Sequence, residues 1–372
     1  MFYACRVVSI AKIEVSMSER ATQLHANPWL GVFYVTGGGS QLISELLTTP
    51  GASRTVLEAS VPYAYTALMS LLGETPAQSC SAPTARAMAM AAFQRANALS
   101  SDSDSRATLF GLGCTASLAT DREKRGKHRA HLAIQTEWHT CFAQVELSGD
   151  RAEEEVQLLD ELWEFLGAVL TSDTSPMGAF DAVRAHPTWR LVLQGDSPAT
   201  STEPHDGQLI LSGSFNPVHH GHRKMLSVAE HITDRAGAFE LSIFNVDKPP
   251  LDYHEIGTRL AQFDTPVWLT RLPTFAEKAQ HFQGAVFVVG VDTVVRIDAP
   301  RYYWNTAHRD SSIEELASLG CSFLVFGRAA DDGFVQLRDL ELSPNLLRIC
   351  QEVPSDQFRE DVSSTELRSR TA

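Results

Sequence analysis

The chain of 372 residues carries 45 acidic against 31 basic side chains, a net charge of -14, with 44% hydrophobic and 20% charged residues. Such a surface repels nucleic acid and anionic membranes, and no apolar run approaches the ~18 residues that a bilayer span needs. The six cysteines form no Cys-x-x-Cys pair, which argues against a zinc site or a disulfide framework and fits a reducing cytoplasm.

The length predicts two domains rather than one core. Residues 1–19 are expected to be a poorly ordered tail, with Met1–Ser16 an upstream extension that lacks a signal peptide's apolar stretch. Residues 20–170 read as an α/β domain. Helical spacing marks Ser40–Leu47 and Ala64–Leu72, and Thr84–Leu99 is an Ala- and Met-rich helix. Ala130–Ile134 and Thr140–Leu147 look like strands. Arg151–Leu170 is an amphipathic helix whose Glu153, Glu154 and Glu155 suit a positive helix end. Residues 171–206, rich in Ser, Thr, Pro, Asp and Gly, have the composition of a linker.

Residues 207–372 alternate short apolar runs with helical segments. The runs are Gln208–Ser212, Glu240–Phe244, Val267–Thr270, Ala285–Val289 and Ser322–Phe326. Strands buried on both faces by crossover helices have this character, so an open parallel sheet is expected. The first run leads into Gly213-Ser-Phe-Asn-Pro-Val-His-His-Gly-His222, followed by the helical Arg223–Ala229. Gly213 would permit a tight turn, and the helix start beyond would aim N–H groups at an anion. His219 and His222 flank Gly221, where the missing side chain would let a phosphate approach.

This lead-in, with its His-x-Gly-His core, resembles the HxGH nucleotidylyltransferase superfamily, which implies a Rossmann-like fold. The resemblance implies that His219 and His222 meet the ATP phosphates and stabilise charge as pyrophosphate leaves, with Gly213, Ser214, Phe215 and Gly221 among the residues that contact the nucleotide and its phosphates. Val362-Ser-Ser-Thr-Glu-Leu-Arg368 resembles the ISSTxxR signature of the adenylyltransferase branch, in which Ser363, Ser364 and Thr365 cap a helix facing an anion and Arg368 neutralises a phosphate. Gly290 and Asp292 follow the Ala285–Val289 run, where the family's acidic residue helps bind nucleotide, and Arg328 is a further phosphate candidate. Lys248 and Arg259 are substrate candidates. Trp304 is a candidate for stacking on a base, although a core position is the commoner fate of a tryptophan.

The implied reaction is in-line attack by a phosphate oxygen on the α-phosphorus of ATP, helped by a magnesium ion that keeps its waters. The two motifs look most like those of nicotinamide or nicotinate mononucleotide adenylyltransferases. A CTP-using enzyme with another phosphorylated acceptor is the alternative, and an inactive nucleotide-binding regulator is the rival from outside enzymology. The expected partners are ATP and a small phosphorylated substrate, and a homo-oligomer is left open.

In the first domain, Thr36-Gly-Gly-Gly-Ser40, Leu46-Leu-Thr-Thr-Pro-Gly-Ala-Ser53 and Val61-Pro-Tyr63 resemble the CinA C-terminal domain, a family that includes nicotinamide-nucleotide amidohydrolases. Ser53 and Tyr63 fall on the family's serine and tyrosine. The family's lysine falls on Leu68, and its Gly-rich loop on Gly111–Ala116. The expectation is a retained fold whose amidase site is vestigial.

Overall fold

A computed structural model describes residues 17–100, 108–121, 126–171, 180–245, 248–330 and 333–359. The chain divides into two compact units, residues 1–190 with 247–254, and residues 191–246 with 255–372. Among the described residues no helix is long and apolar enough to cross a membrane.

The first unit opens with α1 (Met17–His25), so residues 17–19, expected in the tail, are helical. Then follow β1 (Trp29–Thr36), α2 (Ser40–Thr48), β2 (Val56–Ser60), α3 (Tyr65–Leu72), α4 (Ala82–Leu99), β3 (Thr108–Ser117), β4 (Arg129–Thr136), β5 (His139–Glu146), α5 (Arg151–Leu170) and β6 (Asp181–Arg184). The sheet order is β2-β1-β3-β4-β5-β6, with β2, β1 and β3 parallel and the remaining pairs antiparallel.

Strand β1 shows how the sequence fills both faces of this sheet. Phe33 and Val35 join a core with Leu42 and Leu46 of α2 and Leu158, Leu162 and Leu166 of α5. Val32 and Tyr34 point the other way, towards Leu68 and Leu72 of α3 and Met88 and Ala92 of α4. This is the period-two alternation of a covered strand. Helix α5 begins with a full capping box, Asp150 accepting from the Ala152 and Glu153 amides while Glu153 accepts from the Asp150 N–H.

The alanines of α4 and the glycines of β3 explain one another. A Cβ on Gly111 would lie 2.2 Å from the Phe93 amide nitrogen and 2.3 Å from the Ala89 carbonyl oxygen, and one on Gly113 would lie 2.2 Å from the Ala85 carbonyl. Only glycine allows the helix to sit this close to the strand. The Gly111–Ala116 stretch is therefore the interior of β3, a correction to its reading as a loop.

Residues 171–206, read as a linker, hold β6, α6 (Pro187–Gln194) and β7 (Ala199–Ser201), and the division between the units falls inside α6, between Arg190 and Leu191. The second unit continues with β8 (Leu209–Ser212), α7 (His220–Thr233), β9 (Ala238–Ser242), α8 (Tyr253–Leu260, its first two residues counted with the first unit), β10 (Val267–Thr270), α9 (Phe275–His281), β11 (Val286–Gly290), α10 (Val291–Asp298), α11 (Thr306–Ser318), β12 (Ser322–Phe326), β13 (Arg328–Ala330), β14 (Gly333–Val335), α12 (Pro344–Leu347) and β15 (Cys350–Val353). Its large sheet has the order β15-β12-β11-β8-β9-β10-β7. All neighbours are parallel except β7, which runs antiparallel to β10.

This order has a direct consequence for function. From β8 the chain winds one way through β9 and β10, then returns to β11 on the other side of β8 and winds outward through β12 to β15. The reversal falls between β8 and β11, and open parallel sheets bind ligands outside the carboxyl ends of strands at such a point. Behind it, Ile210, Phe287, Val289, Phe323 and Val325 pack with Val294, Ile297, Ile313 and Leu316.

A buried ion pair supports the other half of the sheet. Lys278 of α9 donates to both oxygens of Glu240 on β9, at 2.8 and 2.9 Å, and to the Leu272 carbonyl at 2.8 Å. The Thr270 hydroxyl donates to Glu240 as well, at 2.5 Å, so the buried carboxylate is both paired and hydrogen-bonded.

Candidate active site

The loop 213–219 joins β8 to α7 on the carboxyl side of the sheet, beside the turn from β11 into α10. The tight turn is made at Phe215, which has φ 45°, and not at Gly213, whose φ is not positive. Gly213 is required for space instead, because a Cβ there would lie 2.8 Å from the Phe215 ring. A non-glycine residue in the left-handed region is strained, and such strain persists where surrounding packing over-determines it. That packing is visible. The buried Phe215 ring meets Phe239, Phe263 and His222 edge-on, with centroids 5.2, 5.3 and 5.2 Å away. Phe215 thus anchors the loop in the core, a correction to its place among nucleotide-contacting residues.

His219 precedes α7 as its N-cap, in extended conformation, and His222 lies in the first turn. Their rings stack with centroids 3.7 Å apart. The His219 amide donates to His222 Nδ1 at 3.3 Å. A ring nitrogen that accepts carries no proton, so the neutral His222 imidazole holds its proton on Nε2 and offers it as a donor. Burial, and then the neighbouring His219, lower the His222 pKa from the ordinary value to about 4. Gly221 is buried between them in the helix's first turn. The start of α7 adds its positive dipole end to this pair.

Three neighbours brace the loop. Arg259 donates to the Ser214 carbonyl at 2.9 Å and to Glu255 at 3.2 Å. Gln262 accepts from the Val218 amide at 2.9 Å. Arg223 donates to the Gln262 carbonyl at 2.6 Å and pairs with Asp264, whose carboxyl it holds below the usual range. Arg259 therefore supports the loop backbone.

Across the switch point, Gly290 is the N-cap of α10 and has open space where a Cβ would stand. Asp292, in the first turn of α10, pairs with Arg328 at the start of β13. The two candidates are thus brought together as an exposed ion pair.

Lys248 belongs to the first unit and pairs with Glu74 at 2.5 Å. Trp304 is 91% exposed and stacks on His308, with centroids 5.3 Å apart, so it is not a core residue. Ser363, Ser364, Thr365 and Arg368 lie outside the described residues.

Residues 210–370 match the family model described as Cytidylyltransferase-like. They form a cytidylyltransferase-like domain. As a domain of the nucleotidyltransferase type, it carries the His219–His222 pair on the loop after its first parallel strand. No curated protein matches the chain. Solved structures similar to it, on the N-terminal half, include the competence/damage inducible protein CihA from Agrobacterium tumefaciens, at 20% identity over 42% of this chain and 97% of that one, TM-score 0.33. A competence or damage-inducible protein from Enterobacter asburiae is 15% identical over 42% of this chain and 100% of that one, TM-score 0.36. A competence-damaged protein (CinA) superfamily protein from Enterobacter cloacae is 16% identical over 45% and 100%, TM-score 0.34.

The first unit has a cleft of about 470 Å³ lined by residues that include Gly37, Gly38, Tyr63, Arg151 and Glu155. Its charged groups are already engaged. Glu155 accepts from the Gly39 amide at 2.9 Å and the Ser40 hydroxyl at 3.2 Å, occupying the start of α2. Arg151 donates to the Ala119 and Gly37 carbonyls at 3.1 and 3.4 Å. Tyr63 lines the cleft, whereas Ser53 sits exposed in a 3-10 turn, Ala52–Arg54, and is not among the lining residues. Leu68, at the position of the family's lysine, is core. His128 pairs through Nδ1 with the buried Glu154, which also accepts from the Ala119 amide at 2.6 Å.

Proposed function

We propose that the cytidylyltransferase-like domain transfers an adenylyl group from ATP to a pyridine mononucleotide, nicotinamide or nicotinate, releasing pyrophosphate in a step of NAD biosynthesis. The observation that carries the reading is the stacked His219–His222 pair at the start of α7, on the loop next to the switch point of the sheet. Donors held there before the substrate arrives need no reorganisation as charge builds on the leaving pyrophosphate. His222, neutral and protonated on Nε2, would give one hydrogen bond to a phosphoryl oxygen, and His219 a second. Arg328, released from Asp292 by an incoming phosphate, would add a charge-assisted bond, with Arg368 from the C-terminal segment as its counterpart.

No side chain acts as a nucleophile in this scheme. The substrate's own phosphate oxygen attacks, and the domain's share is orientation and charge. Among the described residues no group of three or more His, Cys, Asp or Glu side chains gathers to hold a metal. Magnesium would arrive on the triphosphate and offset its charge, keeping several waters.

The alternative donor is CTP, which the match of residues 210–370 to a cytidylyltransferase-like model motivates. Pyrophosphate release by the full chain with magnesium tests both readings. ATP and CTP are each supplied against nicotinamide mononucleotide, nicotinate mononucleotide and phosphopantetheine. Release with ATP and a pyridine mononucleotide supports the proposal, and release only with CTP moves it to the alternative. Silence across the panel sinks both and leaves a nucleotide-binding regulator.

A further inference from the structure

We propose that Gln262 is a positioning residue for the His219–His222 pair, fixing the chain one residue before the N-cap; the proposal rests on the transferase reading above. Gln262 lies just past α8, two residues from Asp264. Its Oε1 accepts from the Val218 amide at 2.9 Å, and its Nε2 lies 3.4 Å from each of the carbonyls of Phe215, Thr258 and Arg259, a weak, shared donation. The assignment of the two amide atoms follows from the partners, since a peptide N–H needs an acceptor and a carbonyl needs a donor. One side chain therefore spans the loop from the strained Phe215 to Val218, across Pro217, which has no N–H of its own.

The backbone of Gln262 is also held in place. Arg223 of α7 donates to the Gln262 carbonyl at 2.6 Å, and Arg223 also pairs with Asp264. The clamp thus runs from the loop to Gln262 and back to the residue that follows His222 in α7. His219 takes its direction from the backbone on either side of it, φ -137° and ψ 171°. A loop free to shift at Val218 would carry the His219 imidazole away from its stack on His222, although the phosphates could still bind. Small misplacements of this kind cost rate more than affinity.

The test uses the full chain with Gln262→Met, which keeps length and bulk but has no strong acceptor, and Gln262→Glu, which keeps the oxygen that receives the Val218 N–H. Gln262→Ala replaces the methionine variant should that fail to fold. The Met variant is expected to lower kcat about 100-fold. Its KM for the nucleotide is expected to change by less than about threefold, because uniform binding is not what is lost. The Glu variant is expected to keep kcat within about threefold of wild type, since the short bond survives. Amide hydrogen exchange at Val218 should accelerate in the Met variant only. Wild-type kcat in the Met variant, an equal fall in both variants, or a raised KM with unchanged kcat overturns the proposal. If the wild-type chain releases no pyrophosphate with any donor, the transferase reading fails, and Val218 exchange decides the clamp alone. Equal protection in wild type and Met variant would then refute it.

Discussion

Replacing His222 by glutamine isolates the electrostatic cost of holding an imidazole in this site. The unfolded chain has an ordinary histidine near pH 6.5, whereas burial and the stacked His219 lower the folded value to about 4. Between those two values the unfolded state binds the proton and the folded state does not. Lowering the pH therefore draws the equilibrium towards unfolding, and the stability present above pH 6.5 is lost as the pH falls to about 4. At about 1.36 kcal/mol per pH unit the full loss is about 3 kcal/mol, most of it reached by pH 4.5. Carboxylates titrate in the same range, so the quantity to measure is the difference between wild type and His222→Gln. Denaturant unfolding followed by circular dichroism at pH 7 and pH 4.5 supplies it, read on the transition that the substitution moves. The wild type should lose about 2–3 kcal/mol more than the variant over this interval. Parallel losses, within about 0.5 kcal/mol, would show that His222 is not held neutral by the fold, and its hydrogen bond to a phosphoryl oxygen would then come from a protonated ring rather than a neutral one.

His222→Ala is expected to lower pyrophosphate release about 100-fold while leaving the far-ultraviolet spectrum intact, the scale of one lost transition-state donor; near-normal release excludes this histidine from the reaction. Lys278→Met strands the Glu240 carboxylate in the core and should cost about 3–5 kcal/mol in thermal or denaturant unfolding, with Glu240→Gln in the same chain recovering part of the loss. Additive effects of the two substitutions would show that the pair is not coupled. The first unit is expected to release no ammonia from nicotinamide mononucleotide, because Ser53 lies outside the cleft and Leu68 is buried in the core; robust release by the full chain would overturn that.

The elements whose pattern is dictated by burial on both sides were the legible ones. Val267–Thr270 and Ser322–Phe326 are strands over the very residues that their apolar runs mark, and Arg151–Leu170 is a helix from cap to end. Glu240–Phe244 was displaced by two residues, since β9 spans Ala238–Ser242 and begins on an alanine that a hydrophobicity pattern underweights. Short strands were hidden for a different reason. β7, Ala199–Ser201, is three polar or small residues with no periodicity at all, and only its partner β10 makes it a strand. At the site, the two histidines were legible because their motif is local. The bracing was not. Gln262 lies 44 residues from Val218, and Arg328 lies 36 from Asp292, separations that carry no sequence signal. Phe215 was misread because its neighbours in the motif face solvent, while φ 45° turns its ring inward against Phe239 and Phe263.

The antiparallel strand β7 also decides how this chain can be cut. It pairs with β10 through Ser201–Trp268, Thr200–Leu269 and Ala199–Thr270, and it is the last strand on that side of the sheet. A fragment starting at residue 207, where composition alone puts the boundary, would leave β10 with a bare row of peptide donors and acceptors. Such an edge recruits strands from other copies. The second unit is therefore better expressed from a start ahead of Ala199, and a fragment begun later is expected to precipitate or self-associate for reasons unrelated to the His219–His222 site.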